Sequence, residues 1–199
     1  MNPIEFWSWF EKNARRFLSL KHGADEESLD EIQTHLQSYC SGLWFEIGGA
    51  PDGPMEFVIS AEGDEQFFPM VEALSVAAPS IDGWSIIAFK PPHGFDFVTN
   101  YGGLEINPKH CWFLPLVSKT EPGRIALRIG VPDFKVDAVH ETVAALYIVL
   151  EAGLGELVAG QRIAFIEACA IPNDPEVQGF IELNELDLYI QWISRRKDV

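Results

Sequence analysis

Residues 56 to 90 constrain the fold more than any other stretch, because they spell a strand, a helix and a second strand with a breaker at each junction. The apolar run Phe57-Val58-Ile59 ends at Ser60-Ala61-Glu62-Gly63-Asp64. Beyond it Phe67, Val71, Leu74 and Ala78 recur at spacings of four, three and four, which places them on one helical face. Pro69 would cost about 3 kcal/mol in a helix interior but is tolerated in the first turn, so the helix proper is predicted to begin near Phe68 and to stop at Pro79. After Ser80-Ile81-Asp82-Gly83 the β pattern resumes as Trp84-Ser85-Ile86-Ile87-Ala88-Phe89, closed by Pro91-Pro92. Strands this apolar are covered on at least one face. The two are expected in one sheet, with the helix on one of its faces; if they run parallel, the crossover is right-handed.

The flanking sequence extends this unit in both directions. Residues 3 to 20 read as a helix entered through Asn2-Pro3, with Phe6, Trp9 or Phe10, Phe17 and Leu20 on one stripe. A second helix opens at Asp25 or Ser28. Its first two turns carry Asp25, Glu26, Glu27, Asp30 and Glu31, where the helix dipole favours negative charge. Its stripe is Leu29, Ile32, Leu36 and Tyr39, with Gly42 as C-cap, and the two helices are expected to form an antiparallel hairpin. Leu43-Trp44-Phe45-Glu46-Ile47 is a strand, joined to residues 56 to 59 through a turn rich in Gly and Pro. Residues 91 to 103 read as a loop, with a short extended piece over residues 95 to 98. Residues 111 to 117 and 125 to 129 read as an antiparallel pair joined around Glu121-Pro122-Gly123.

Residues 136 to 152 follow as a largely buried helix ended by Gly153-Leu154-Gly155. Residues 156 to 158 read as extended, 162 to 168 as a strand, and 172 to 179 as a loop. The last helix has Leu183, Leu186, Ile190 and Ile193 inward and Arg195-Arg196-Lys197 at its end. No internal repeat or linker is read. The expectation is a single α+β domain over residues 1 to 199: a helical hairpin (1–42), a mostly antiparallel mixed sheet with two helices (43–169) on one or both faces, and a C-terminal helix (180–197).

A chain of 199 residues, 47% hydrophobic and 12% aromatic, can build a core without a disulfide or metal staple. Cys40, Cys111 and Cys169 are odd in number and far apart, which reads as buried free thiols in a reducing compartment. With no apolar run of 18 residues and no basic-then-apolar leader, a cytoplasmic location is expected. The formal net charge of −16 repels phosphate backbones and anionic lipid, so neither nucleic acid nor membrane is expected as a partner and a basic protein is favoured. The same charge also serves plain solubility.

Motifs that carry chemistry are absent or incomplete. Gly48-Gly49 and Gly102-Gly103 lack the spacing of a phosphate-binding loop, and no serine stands in a Gly-x-Ser-x-Gly elbow. None of His22, His35, His93, His110 and His140 has a second histidine at ligand spacing, and Ala144 stands where the His140-Glu141 pair would need one, so neither metal nor cofactor is expected. Catalytic candidates are His93, in the loop after the central unit, and Glu62 and Asp64, in the loop after its first strand; Glu156, beside Gly155, is a further carboxylate. The blander roles are a solvated loop histidine and turn-forming acids.

The segments Phe6-Trp7-Ser8-Trp9-Phe10, Val58-Ile59-Ser60-Ala61-Glu62-Gly63, Ala78-Pro79 and Trp84 through Pro92 together resemble a family of small bacterial cytoplasmic proteins of uncharacterised function. The resemblance covers most of the chain and implies a bacterial, intracellular, single-domain protein; it carries over no catalytic residue.

Two functions fit these readings. The first is a non-catalytic, acidic binder of a basic protein, for instance an immunity-type protein, with Trp7 and Trp9 as anchors and Asp25, Glu26, Glu27 and Asp30 as the charged patch. The second is a small enzyme or ligand-binding domain whose pocket lies at loops 60–64 and 90–103, lined by Glu62, Lys90, His93, Asn100 and Tyr101. A homodimer through a sheet edge or through the aromatic helix is compatible with either.

Overall fold

The computed structural model describes residues 1–23, 25–117 and 123–196. The fold is α+β with an N-terminal helical hairpin, and its contacts gather into two compact units, Met1–Lys90 and Pro91–Val199.

In the first unit, α1 (Pro3–Phe17) starts from a capping box: the Asn2 side chain accepts the Glu5 N–H at 3.0 Å, and the Glu5 carboxylate accepts the Asn2 N–H at 2.8 Å. A 3-10 turn, Leu18–His22, leads toward α2 (Glu26–Tyr39). Then come β1 (Trp44–Gly48), β2 (Met55–Ser60), a 3-10 turn (Glu65–Phe67), α3 (Phe68–Val76) and β3 (Trp84–Ala88). The sheet order is β1-β2-β3, with β1 antiparallel and β3 parallel to β2; Phe57 faces Ile86 and Ile59 faces Ala88. The strand-helix-strand unit is present, but α3 ends at Val76, ahead of Pro79, so Phe67 and Ala78 of the expected stripe lie outside the helix and Phe68 takes the buried place beside Val71 and Leu74.

The core of this unit is aromatic. Phe6, Trp7 and Phe10 of α1 surround the Phe57 ring at centroid distances of 5.0 to 6.3 Å, and Phe10 meets Trp84 edge to face at 5.1 Å. A buried indole N–H needs an acceptor. Trp7 donates to the Leu74 carbonyl at 2.8 Å and Trp84 to the Ala14 carbonyl at 3.1 Å, so two indoles tie α1 to α3 and to the sheet.

The second unit contains β4 (Thr99–Tyr101), β5 (Leu104–Ile106), a 3-10 turn (Pro108–His110), β6 (Trp112–Val117), β7 (Ile125–Val131) and a further 3-10 turn (Val136–Ala138). It continues with α4 (Val139–Leu154), α5 (Glu156–Arg162), β8 (Ile163–Ala170), β9 (Ile181–Glu182), a last 3-10 turn (Leu183–Glu185) and α6 (Leu186–Arg196). The order β8-β7-β6-β9 places β8 parallel to β7 and β6 antiparallel to β7 and β9. Leu127, Ile129 and Val131 face a core that they share with Leu146, Val149 and Leu150 of α4 and with Leu186 and Ile190 of α6.

Several local expectations are corrected. The strands of residues 43–169 are divided among three sheets instead of one: β1, β2 and β3 form the first, β4 and β5 pair only with each other, and β6, β7 and β8 belong to the third. Residues 99 to 101, inside the loop expected over 91 to 103, form β4 and pair with β5; Gly102 and Gly103, at φ 57° and 80°, form the two-residue turn that suits a twisted ribbon, and no strand forms over residues 95 to 98. Residues 156 to 158 are helical, not extended, because Gly155 at φ 80° lets the chain turn by 119° and restart as α5. Glu121 and Pro122, placed in the β6–β7 turn, lie outside the described residues, as does Lys197.

Two glycines predicted to end helices have another role. Cys40 closes α2 in an extended conformation, while a Cβ at Gly42 would stand 2.2 Å from the Phe67 ring. Gly153 is internal to α4, and a Cβ there would stand 2.2 Å from the Phe95 ring. Each glycine is a seat for a phenylalanine.

The two units also share a topology that the sequence hides: an antiparallel pair, then a helical crossover to a parallel strand. The passages from strand to helix run in step at an offset of 71 residues. Glu62 corresponds to Asp133, the 3-10 turns open at Glu65 and Val136, and the helices open at Phe68 and Val139. Buried positions coincide as well, with Val71 answering to Thr142 and Leu74 to Ala145. Glu62 at φ 51° and Asp133 at φ 52° adopt the same left-handed conformation, uncommon for residues other than glycine.

Gly42→Ala and Gly153→Ala should each lower unfolding free energy by about 1–3 kcal/mol through overpacking, read as a fall in denaturant midpoint at constant m. Gly48→Ala, with nothing within 4 Å of the added Cβ, should stay within about 0.5 kcal/mol.

Candidate functional site

Two gatherings of polar side chains lie where a strand delivers the chain to its crossover helix. In the first unit the ends of β2 and β3 are tied by charge. Lys90 Nζ lies 2.8 Å from Glu62 Oε1 and 3.7 Å from Glu46 Oε1. The buried Ser60 hydroxyl accepts the Glu62 N–H at 2.9 Å, which holds Glu62 in its left-handed turn. Phe89, next to Lys90, is also left-handed at φ 66°, and its N–H donates to the Ile59 carbonyl at 2.8 Å. The arrangement is a latch across two strand ends. Asp64 caps the following 3-10 turn by accepting the Gln66 N–H at 3.1 Å, a structural task.

The other members of the expected pocket belong to the second unit. His93 is an exposed loop residue anchored by its backbone N–H on the Ala152 carbonyl at 2.8 Å, and Asn100 and Tyr101 are exposed on β4. Glu156 is fully buried at the start of α5, where the helix dipole favours a carboxylate.

The proposed binding residues also divide. Trp7 is 2% exposed and belongs to the core, so it is no surface anchor. Trp9 is half-buried and stacks on the His35 ring at 3.7 Å and 5°. Asp25, Glu26, Glu27 and Asp30 are all exposed. Asp25 occupies the N-cap of α2, and a hydrogen bond from the Ser28 hydroxyl at 2.6 Å holds its carboxyl below the usual range. Glu31 is paired with Arg16, whereas Glu26, Glu27 and Asp30 form no ion pair among the described residues. Residues 1–90 carry 15 acidic and 5 basic side chains, a net −10 of the total −16.

The second gathering is a cleft of about 340 Å³ in the second unit, bounded by β5, the 3-10 turn Pro108–His110 and the β7–α4 loop. Leu104, Ile106, Val131 and Phe134 supply apolar wall; Glu105, Asp133, Lys135 and His110 supply charge or polarity. Thr142 also lines it, but its buried hydroxyl already donates to the Ala138 carbonyl at 2.7 Å. Sequence reading missed this cleft because its residues come from separate segments and match no motif. The one local signal was Pro132-Asp133 at the end of a strand, a common turn pairing.

Among the described residues no cluster of three His, Cys, Asp or Glu could hold a metal ion. No single helix among them is long and apolar enough to cross a membrane; one pair, Val136–Leu154 with Glu156–Arg162, reaches that length and apolarity together but is bent by 119°. Comparison with family models, curated proteins and solved structures finds no match.

The three cysteines are free. Burial pushes the Cys111 thiol up to about 12 and raises Cys169 as well. Cys111 should therefore react with a thiol reagent only at the rate of unfolding. Its neutral form is favoured in the folded chain, so its contribution to stability is intact below about 9 and erodes as pH climbs from there toward about 12, checked by denaturation at pH 8 and pH 10.5 against Cys111→Ala. A double-mutant cycle on Lys90→Met and Glu62→Gln should give a coupling below about 1 kcal/mol, because the Glu62 side chain is 51% exposed and solvent screens the pair.

Proposed function

We propose that this protein acts by binding, as an acidic partner for a basic protein, and that its chemistry is recognition and not turnover. The observation that carries this reading is the exposed group Asp25, Glu26, Glu27 and Asp30 at the start of α2, three of them without a cation among the described residues, on a unit of net charge −10. Carboxylates left unpaired on so negative a unit repel one another and attract a positive surface over several ångströms, which speeds encounter and rejects anionic partners. An immunity-type protein that neutralises a basic toxin or nuclease is the kind of binder this charge suits. The catalytic alternative has less support: Glu62 is latched to Lys90, Asp64 caps a turn, and His93 is exposed in a loop.

The combined variant Asp25→Asn, Glu26→Gln, Glu27→Gln, Asp30→Asn removes the charge and, since the Asp25 side chain makes no cap hydrogen bond and Asn suits an N-cap as well as Asp, leaves the start of α2 intact. A basic protein recovered from the source cell on the unaltered chain should associate about tenfold more slowly with this variant at low salt, and the difference should shrink as salt rises. Recovery of no basic partner, or an unchanged association rate, would count against the reading.

A further inference from the structure

We propose that the cleft bounded by β5 and the β7–α4 loop receives a primary ammonium on an aliphatic stem, and that its occupant is a lysine side chain of the basic partner. This rests on the partner-binding reading and assigns it a second contact. The first observation is the cleft's own make-up. Leu104, Ile106, Val131 and Phe134 offer apolar wall to methylene groups, and Glu105 and Asp133 offer carboxylates to a charged head. A lysine side chain has that same division, with a stem that buries along apolar surface and a head that seeks charge or water.

The second observation is the correspondence between the two units. Glu62 and Asp133 stand two residues beyond the ends of equivalent strands in the same left-handed conformation. In the first unit this carboxylate holds an ammonium, that of Lys90, at 2.8 Å. In the strand pairing Ile59 faces Ala88 and Gly130 faces Cys169, so the residue answering to Lys90 two positions on is Ile171, which has no charge to offer. The side chains of Asp133 and Glu105 make no ion pair or hydrogen bond among the described residues. The first unit thus carries its own cation at this position, and the second, among the described residues, pairs none with Asp133.

Two features oppose a cation and are outweighed. Lys135 also lines the cleft, yet Glu105 and Asp133 set two carboxylates against its one ammonium. The N-terminal end of α4 is positive, but Asp137 and Glu141 in its approach and first turn offset it. The net charge of −16 favours a cation over an anion throughout.

The test uses the full chain and Nα-acetyl-lysine methylamide as probe, followed by amide shifts in two-dimensional NMR spectra. Saturable shifts confined to residues 103–110 and 131–142 are expected, with none from Nα-acetyl-norleucine methylamide, which keeps the stem and lacks the ammonium. Asp133→Asn should weaken the probe about fivefold, as loss of one exposed ion pair allows. Asn is at ease in the left-handed region, so this variant should fold as the parent does. Glu105→Gln gives an independent second reading with the same expected direction. Equal binding of the norleucine compound, shifts elsewhere, or no effect of either variant would overturn the proposal. Binding of butylamine without the lysine amide would overturn a polypeptide lysine as the occupant. The two readings fail separately: partner capture that depends on the α2 carboxylates, together with a silent titration of the cleft, would sink the cleft and leave partner binding standing.

Discussion

The parallel pairing of Phe57 with Ile86 is the constraint on which the first unit depends. Two parallel neighbours cannot be joined by a tight turn, so the chain must leave the sheet, cross it and return. The segment between them is apolar on one face, and α3 buries Phe68, Val71 and Leu74 in making that crossing. Phe57 then becomes the floor on which α1 sets Phe6, Trp7 and Phe10, and the indole of Trp7 reaches the α3 backbone to bind the two helices together. Removing the crossover would leave the buried Trp7 indole without its acceptor, the Leu74 carbonyl.

The second unit repeats the solution with different residues. The parallel strands β7 and β8 are again joined by helix, but here two helices meet at Gly155 and a mostly aliphatic core replaces the aromatic one. What the units retain is backbone geometry: a strand end, an acidic residue in the left-handed conformation, a 3-10 turn and a helix. Such a conformation is uncommon for a side chain with a Cβ and persists where its surroundings hold it. In the first unit the Ser60 hydroxyl and the Lys90 ammonium hold it. The corresponding place in the second unit borders an open cleft.

Much of the architecture was legible because it rests on local signals. Pro69 sits in the first turn of α3 and Pro79 follows its end, Asn2-Pro3 starts α1, and the acidic start of α2 agrees with its stripe. Gly42 and Gly153 look like helix stops, and only the approach of Phe67 and Phe95 from elsewhere in the chain reveals them as sites of close contact. Gly102-Gly103 looks like loop, because the strands on either side of that hairpin are three residues each and carry little alternation. The repeat escaped notice because Thr142 and Ala145 take the places of Val71 and Leu74, so geometry is kept where residue type is not. The site suffered most: carboxylates at turns can be recognised in a sequence, but which of them keeps a cation depends on contacts between distant strands.

By itself the sequence determined the strand-helix-strand unit, the helical hairpin before it, the free cysteines and the excess of negative charge, since periodicity, breakers and composition are properties of short windows or of the whole count. Only the tertiary structure decided that the strands divide among three sheets, that Trp7 is core and Asp30 surface, and that Glu62 is latched while Asp133 is not. The physical reason is that burial and ion pairing are set by which segments meet, and residues far apart in the chain meet only after it has folded.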